Sequence, residues 1–188
     1  ENAVTTLNNV LVTAGLVSLV ACAGFDSPGS GSPAADAPTF RVGDRWVYRA
    51  TDGFRVQLQW SETHVVTSVT PDAITVRITE SGPSARGERT EIWSAPGLLT
   101  TGSVFDEETR RFATPIKIYN FPLAPGERWN QWVENLNAAT NKTGQINRYV
   151  TVSGWEKVST PAGTFDAIKL RVLMRLDDEE FWRGPTQC

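Results

Sequence analysis

From residue 40 onward, apolar side chains recur at every second position. Phe54, Val56, Leu58 and Trp60 alternate with Arg55, Gln57, Gln59 and Ser61, and Ile74, Val76 and Ile78 alternate with Thr75, Arg77 and Thr79. The longest run sets Ile168, Leu170, Val172, Met174 and Leu176 against Lys169, Arg171 and Arg175, with Leu173 as its apolar outlier. A period of two sends neighbouring side chains to opposite faces of a strand, so each run predicts a β-strand with one dry and one wet face. Turn chemistry separates the runs. Asp52-Gly53 predicts a two-residue hairpin turn. Thr70-Pro71-Asp72-Ala73 predicts a type I turn, and Thr160-Pro161-Ala162-Gly163 a three-residue hairpin closed by a left-handed glycine. No convincing amphipathic helix follows residue 40; residues 107–112 and 135–140 would allow one helical turn at most, and both read as loop.

The N-terminus has a different pattern. Residues 10–21 (VLVTAGLVSLVA) are apolar or small, too short a run for a transmembrane helix of roughly 20 residues. The run suits the h-region of a signal peptide, which would be a helix. Residues 1–9 contain no Lys or Arg and no initiator Met, so the true start is expected upstream. Residues 25–39 (FDSPGSGSPAADAPT) read as a tether. Cys22 between them has three readings: a core cysteine on a short buried helix, one half of a disulfide with Cys188, or a point of lipid attachment.

Two halves of the chain correspond in order. Val42-Gly43-Asp44-Arg45-Trp46 matches Pro125-Gly126-Glu127-Arg128-Trp129, TPDAITVRI (70–78) matches TPAGTFDAIKLRV (160–172), and EIWSAP (91–96) matches EFWRGP (180–185). The expected architecture is all-β: an antiparallel curved sheet or open barrel built from two tandem pseudo-repeats of about four strands, 40–115 and 116–188, joined near 113–115. Preceding it are a signal peptide at 1–21 and, at 22–39, Cys22 with a disordered tether. Repeat two stops six residues beyond Trp182, which predicts a missing closing strand.

Two resemblances carry these readings further. LVAC at 19–22 resembles the bacterial lipobox, in which the cysteine becomes the lipidated first residue of the mature protein; the resemblance implies lipidation at Cys22, and Ala23 in place of Asp implies outer-membrane delivery. FPLAPGERW (121–129), WEKVSTPAGTFDAIKLRV (155–172) and the following FW are similar to uncharacterised families of bacterial periplasmic and lipoprotein β-domains carrying PLxxGxxW and TPAGTFxA motifs. That similarity covers roughly residues 40–182. It implies a fold and an envelope address, with the domain facing the periplasm, and it assigns no catalytic or ligand residue.

Composition narrows the function classes. A net charge of -3 with scattered Lys and Arg leaves no basic field for nucleic acid. His64 is the single histidine, and no nucleophile elbow or zinc spacing accompanies it. Asp177-Asp178-Glu179-Glu180 lacks the spacing of a calcium loop, Asp106-Glu107-Glu108 beside Arg110-Arg111 reads as a solvated loop, and Glu62 with Asp72 could only be imagined as a carboxylate pair. No catalytic residue, metal site or cofactor is expected. Of seven tryptophans, Trp46, Trp129, Trp93 and Trp182 read as core anchors. Trp132 beside Tyr119 is the best candidate for an aromatic concave face that holds a ligand. The expectation is a non-catalytic binding or carrier module, anchored in the membrane by its N-terminal lipid, for a hydrophobic ligand, a glycan or another envelope protein. An envelope-polymer hydrolase and a purely structural envelope module are the alternatives.

Overall fold

The computed structural model describes residues 33–52, 58–104, 108–176 and 186–187. Residues 1–32, with the apolar run and Cys22, lie outside them, as do Gly53, 177–185 with Trp182, and Cys188. The described chain is all-β. Ten strands pair antiparallel strictly in chain order: β1 (Arg45–Asp52), β2 (Leu58–Val69), β3 (Ile74–Ser81), β4 (Glu88–Ala95), β5 (Leu98–Gly102), β6 (Arg110–Lys117), β7 (Arg128–Asn137), β8 (Lys142–Thr160), β9 (Gly163–Leu176) and the two-residue β10 (Thr186–Gln187). Among the described residues β1 does not pair with β10, so the sheet stays open.

Two of the three alternating runs fall where the period places them; Phe54 and Val56 of the first lie outside the described residues. Ile74, Val76 and Ile78 are buried on β3, and Leu170, Val172 and Leu176 on β9, while the outlier Leu173 points outward and is exposed. Other expectations are corrected. Asp52 pairs with Leu58, leaving 53–57 between β1 and β2 rather than a two-residue turn at Asp52-Gly53. Residues 135–140, read as loop, contribute the end of β7 and the start of a tight turn, because Asn137 accepts the backbone N–H groups of Ala139 and Thr140. The expected joint at 113–115 lies within β6.

That joint is a seam rather than a linker. β6 pairs with β7 only through Arg110, Arg111 and Phe112, and four residues of β6 (112–115) oppose a single residue between Leu99 and Thr101 on β5. Side chains replace the missing rungs. Gln131 accepts from the Lys117 N–H at 2.8 Å and donates to the Pro115 carbonyl at 3.0 Å, Trp129 Nε1 donates to the Lys117 carbonyl, and Arg148 Nη2 to the Ile118 carbonyl.

The sheet must curl. Ala35 exchanges two backbone bonds with Leu123, whose apolar cluster is centred on β8 and β9. Phe40 packs on Trp46 and the cluster of β2 and β3, with ring centroids 6.0 Å apart. Five residues reach at most about 18 Å, whereas β2 and β8 in a flat sheet would lie about 29 Å apart. Curling also explains how one layer of strands buries Val66, Ile78, Ile116, Ile146 and Val150 completely. Bulges after Val66 and Val152 supply local bend. Residues 33–39, inside the stretch read as a tether, thus form a strap across the inner face.

The two Gly-acid-Arg-Trp elements make the same bonds. Gly43 N–H donates to the Val66 carbonyl and Val66 N–H to the Asp44 carbonyl; Gly126 and Glu127 do the same with Val152. Asp44 and Glu127 each close their turn, accepting from the N–H groups of Arg41 and Ala124.

Gly97 shows how tightly the seam is locked. Its carbonyl accepts from the N–H groups of both Ile118 and Tyr119, its φ is +84°, and a Cβ there would meet the Tyr119 carbonyl. Gly97→Ala is therefore expected to cost at least about 1–3 kcal/mol from backbone strain alone, read as a lowered midpoint in thermal unfolding; an unchanged midpoint would show that the 118–119 segment is not held there.

Candidate functional site

The inner face divides into two halves of different character. Across β5–β9 it is filled, mostly by apolar side chains: Leu99, Phe112, Ile116, Val133, Ile146 and Leu176 form one cluster and Leu123, Val150, Val152, Leu170 and Val172 another, and Arg110, Asn135, Asn137 and Arg148 are buried there as well. Across β1–β4 the dry face continues through charged residues. Trp60, Glu62 and His64 follow one another at period two on β2 before the buried Val66. The register sets Glu62 between Tyr48 and Glu80, and His64 between Trp46 and Ile78. Arg89, Glu91 and Trp93 supply the same face of β4.

These groups form one connected network. Glu62 accepts from Trp60 Nε1 at 3.0 Å and from Arg89 Nη2 at 3.0 Å, and lies 3.0 Å from His64 Nε2. Arg89 also pairs with Glu80 at 2.6 Å. Glu91, almost wholly buried, accepts from Trp93 Nε1 at 3.2 Å. The imidazole of His64 stacks on Trp46 and meets the edge of Tyr48.

The two carboxyls are pushed in opposite directions. The bond from His64 first, then the donors Trp60 and Arg89, bring the Glu62 pKa down from 4.5 to about 2 against the cost of burial. Burial drives Glu91 up, opposed by Arg89, His64 and the Trp93 bond. Although Tyr48 is half exposed as a residue, its hydroxyl is pushed up to about 12, first by burial of that group and then by Tyr119, with Glu91 and Glu62 adding to it.

The signs give a test. A carboxyl with a lowered folded pKa contributes stability that is present above pH 4.5 and lost as pH falls towards 2; one with a raised folded pKa costs stability once the pH passes 4.5 and rises through the folded value. Glu62→Gln is therefore expected to destabilise the fold near neutral pH, with the deficit closing in acid. Glu91→Gln, which keeps an acceptor for Trp93, should stabilise it. Denaturant midpoints across pH check this, and like signs for the two variants would refute the assignment.

Sequence reasoning placed the site elsewhere. Trp132 points away from the inner face, 48 % exposed, with the Arg175 guanidinium over its ring at 5.9 Å. Tyr119 packs instead against Phe121, with the rings tilted by 43° and centroids 5.7 Å apart. Cys22 lies outside the described residues. Asp72 sits in the exposed β2–β3 turn, so Glu62 finds His64 and Arg89 rather than a second carboxylate at Asp72. Arg110, read as part of a solvated loop, is fully buried and bonded to Asn135 and Glu108. The signal for the network was present: extending the alternation of 54–60 by two steps puts Glu62 and His64 on the dry face.

Among the described residues, no group of three or more His, Cys, Asp or Glu side chains is placed to hold a metal ion. A shallow groove of about 560 Å³ opens where β6 leaves β7, between Arg111, Ala113, Glu134 and Gln145. Compared with known protein families, with curated proteins and with solved structures, the chain matches none.

Proposed function

We propose that the protein is a lipid-anchored module of the bacterial cell envelope, outer-membrane bound and facing the periplasm, that binds a ligand without transforming it. The ligand occupies the inner face of the β1–β4 half. What supports this reading is the contrast between the two halves: side chains fill the β5–β9 half, whereas the β1–β4 half carries Trp46, Tyr48 and a bonded set of carboxylates and Arg89. Aromatic faces beside fixed hydrogen-bonding groups suit a sugar ring better than an acyl chain, because a buried acyl chain would leave those charges unsolvated. A glycan is therefore preferred over a hydrophobic ligand. The matched bonds of Gly43-Asp44 and Gly126-Glu127 support two tandem units, the second with its inner face filled.

Native mass spectrometry of the protein purified from its own envelope, followed by glycan and lipid analysis, tests the reading. A stoichiometric glycan that is lost with Tyr48→Ala supports it. A bound acyl lipid, or an empty monomer, removes it.

One observation favours a second reading. His64 beside Glu62, with the raised acid Glu91 on the same face two strands away, would suit an envelope-polymer hydrolase, because environments that split two carboxyls apart mark an acid and a base. Turnover of envelope glycan that disappears in both Glu62→Gln and Glu91→Gln would establish it in place of the binding module.

A further inference from the structure

The β8–β9 hairpin continues well past the sheet. Beyond the bulge at Gly154, seven residue pairs from Gly154↔Lys169 to Thr160↔Gly163 run to the turn; beyond the corresponding bulge in β2, only Ser68↔Thr75 and Val69↔Ile74 precede theirs. All of residues 155–166 are exposed. The arm nevertheless carries Trp155, Val158 and Phe165, 41, 36 and 51 % exposed, with Val158 directly opposite Phe165. Its charges cancel in two cross-strand ion pairs, Lys157–Asp166 at 2.8 Å and Lys169–Glu156 at 3.0 Å. Its base holds the N-terminal strap: Trp155 Nε1 donates to the Pro33 carbonyl at 2.7 Å.

We infer that this arm is a membrane-contacting hairpin whose tip, led by Phe165 and Val158, rests in the headgroup region of the bilayer that holds the protein. The inference rests on the proposed lipid at Cys22. Pro33 lies eleven positions beyond Cys22, so the bilayer surface lies within about 40 Å of Trp155 even for a fully extended chain. From Trp155 to the turn the arm extends about 17 Å. The strap runs from Phe40 on the β2–β3 cluster to Ala35 beside Leu123 and on to Pro33 at the arm, so the chain leaves the domain on the arm's side. An exposed Trp and Phe on a hairpin with no net charge suit the interface, where aromatic rings settle and unpaired charge is costly.

The test uses the full lipidated chain with Cys188→Ser in phosphatidylethanolamine and phosphatidylglycerol vesicles. An environment-sensitive dye is placed at Phe165→Cys or, as a control on the outer face of β1, at Val47→Cys, and the mass of the Cys22 adduct is measured in the same sample. A blue shift at 165 and none at 47 is the expected result. A lipidated, vesicle-bound protein with no shift at 165 overturns the arm's role and leaves the anchor standing. Absence of lipid on Cys22 overturns both. A dye at 165 that shifts only in native envelope, and not in pure lipid, shows that a protein partner covers the arm and overturns the inference.

Discussion

Trp129→Ala lowers the stability of the domain by about 3–5 kcal/mol, the range for removing a packed tryptophan from a core. The ring lies against Val150, Val152, Leu170 and Val172, and its Nε1 is bonded to the Lys117 carbonyl. Truncation opens a cavity and at the same time orphans an acceptor at the seam. Trp132, three residues along the same strand, is the internal control. It points outward and is half exposed, so Trp132→Ala should change stability by about 0.5 kcal/mol or less. Urea denaturation of both variants at constant m-value separates the two, and equal effects would show that the face assignment of β7 is wrong.

Cys22→Ser is expected to abolish membrane attachment and to leave the β-domain folded. In the lipobox reading the thiol carries diacylglycerol and the new N-terminus an acyl chain. At about 0.8 kcal/mol per buried CH₂, more than one chain makes attachment stable where a single chain is marginal. A serine at that position accepts no thioether, and the domain would then partition to the soluble fraction with its strand signal in circular dichroism unchanged. If the variant stays in the membrane fraction, residues 10–21 act as an uncleaved anchor and the lipid reading falls.

The strands were legible wherever one face was uniformly apolar. Ile74 to Ile78 and Ile168 to Leu176 needed only their period, and Leu173 declared itself by breaking it. Legibility failed where the inner face is polar. Asn135 and Asn137 are buried on β7, where Asn135 Oδ1 accepts from Arg110 and Asn137 donates to Glu108, yet in sequence they look like a loop. Glu62 and His64 were noticed singly but not joined into a network, since their partner Arg89 and the neighbouring Glu91 come from a strand with little periodic signal of its own. Trp132 misled for the opposite reason: a large aromatic reads as core or ligand platform, and only the parity set by Gln131 and Val133 on either side assigns it to the outer face. The strap could not be read at all, because Ala35 pairs through its backbone and its composition matches a linker.

The seam beside β6 makes the curvature of the sheet adjustable. Elsewhere neighbouring strands are riveted by backbone rungs, and changing their angle means breaking a ladder. Between 113–117 and β7 the connection is carried by the side chains of Gln131, Trp129 and Arg148, each bond contributing about 0.5–1.5 kcal/mol net. Side-chain rungs can lengthen, rotate and re-form while every strand remains a strand. The two sides of the seam, β1–β6 and β7–β9, can therefore change their angle, held by the cluster of Leu99, Phe112, Ile116, Val133, Ile146 and Leu176 that bridges it and by the strap at residues 33–40. Amide exchange should report this as earlier opening at residues 113–117 than along the laddered pairs β2–β3 and β8–β9.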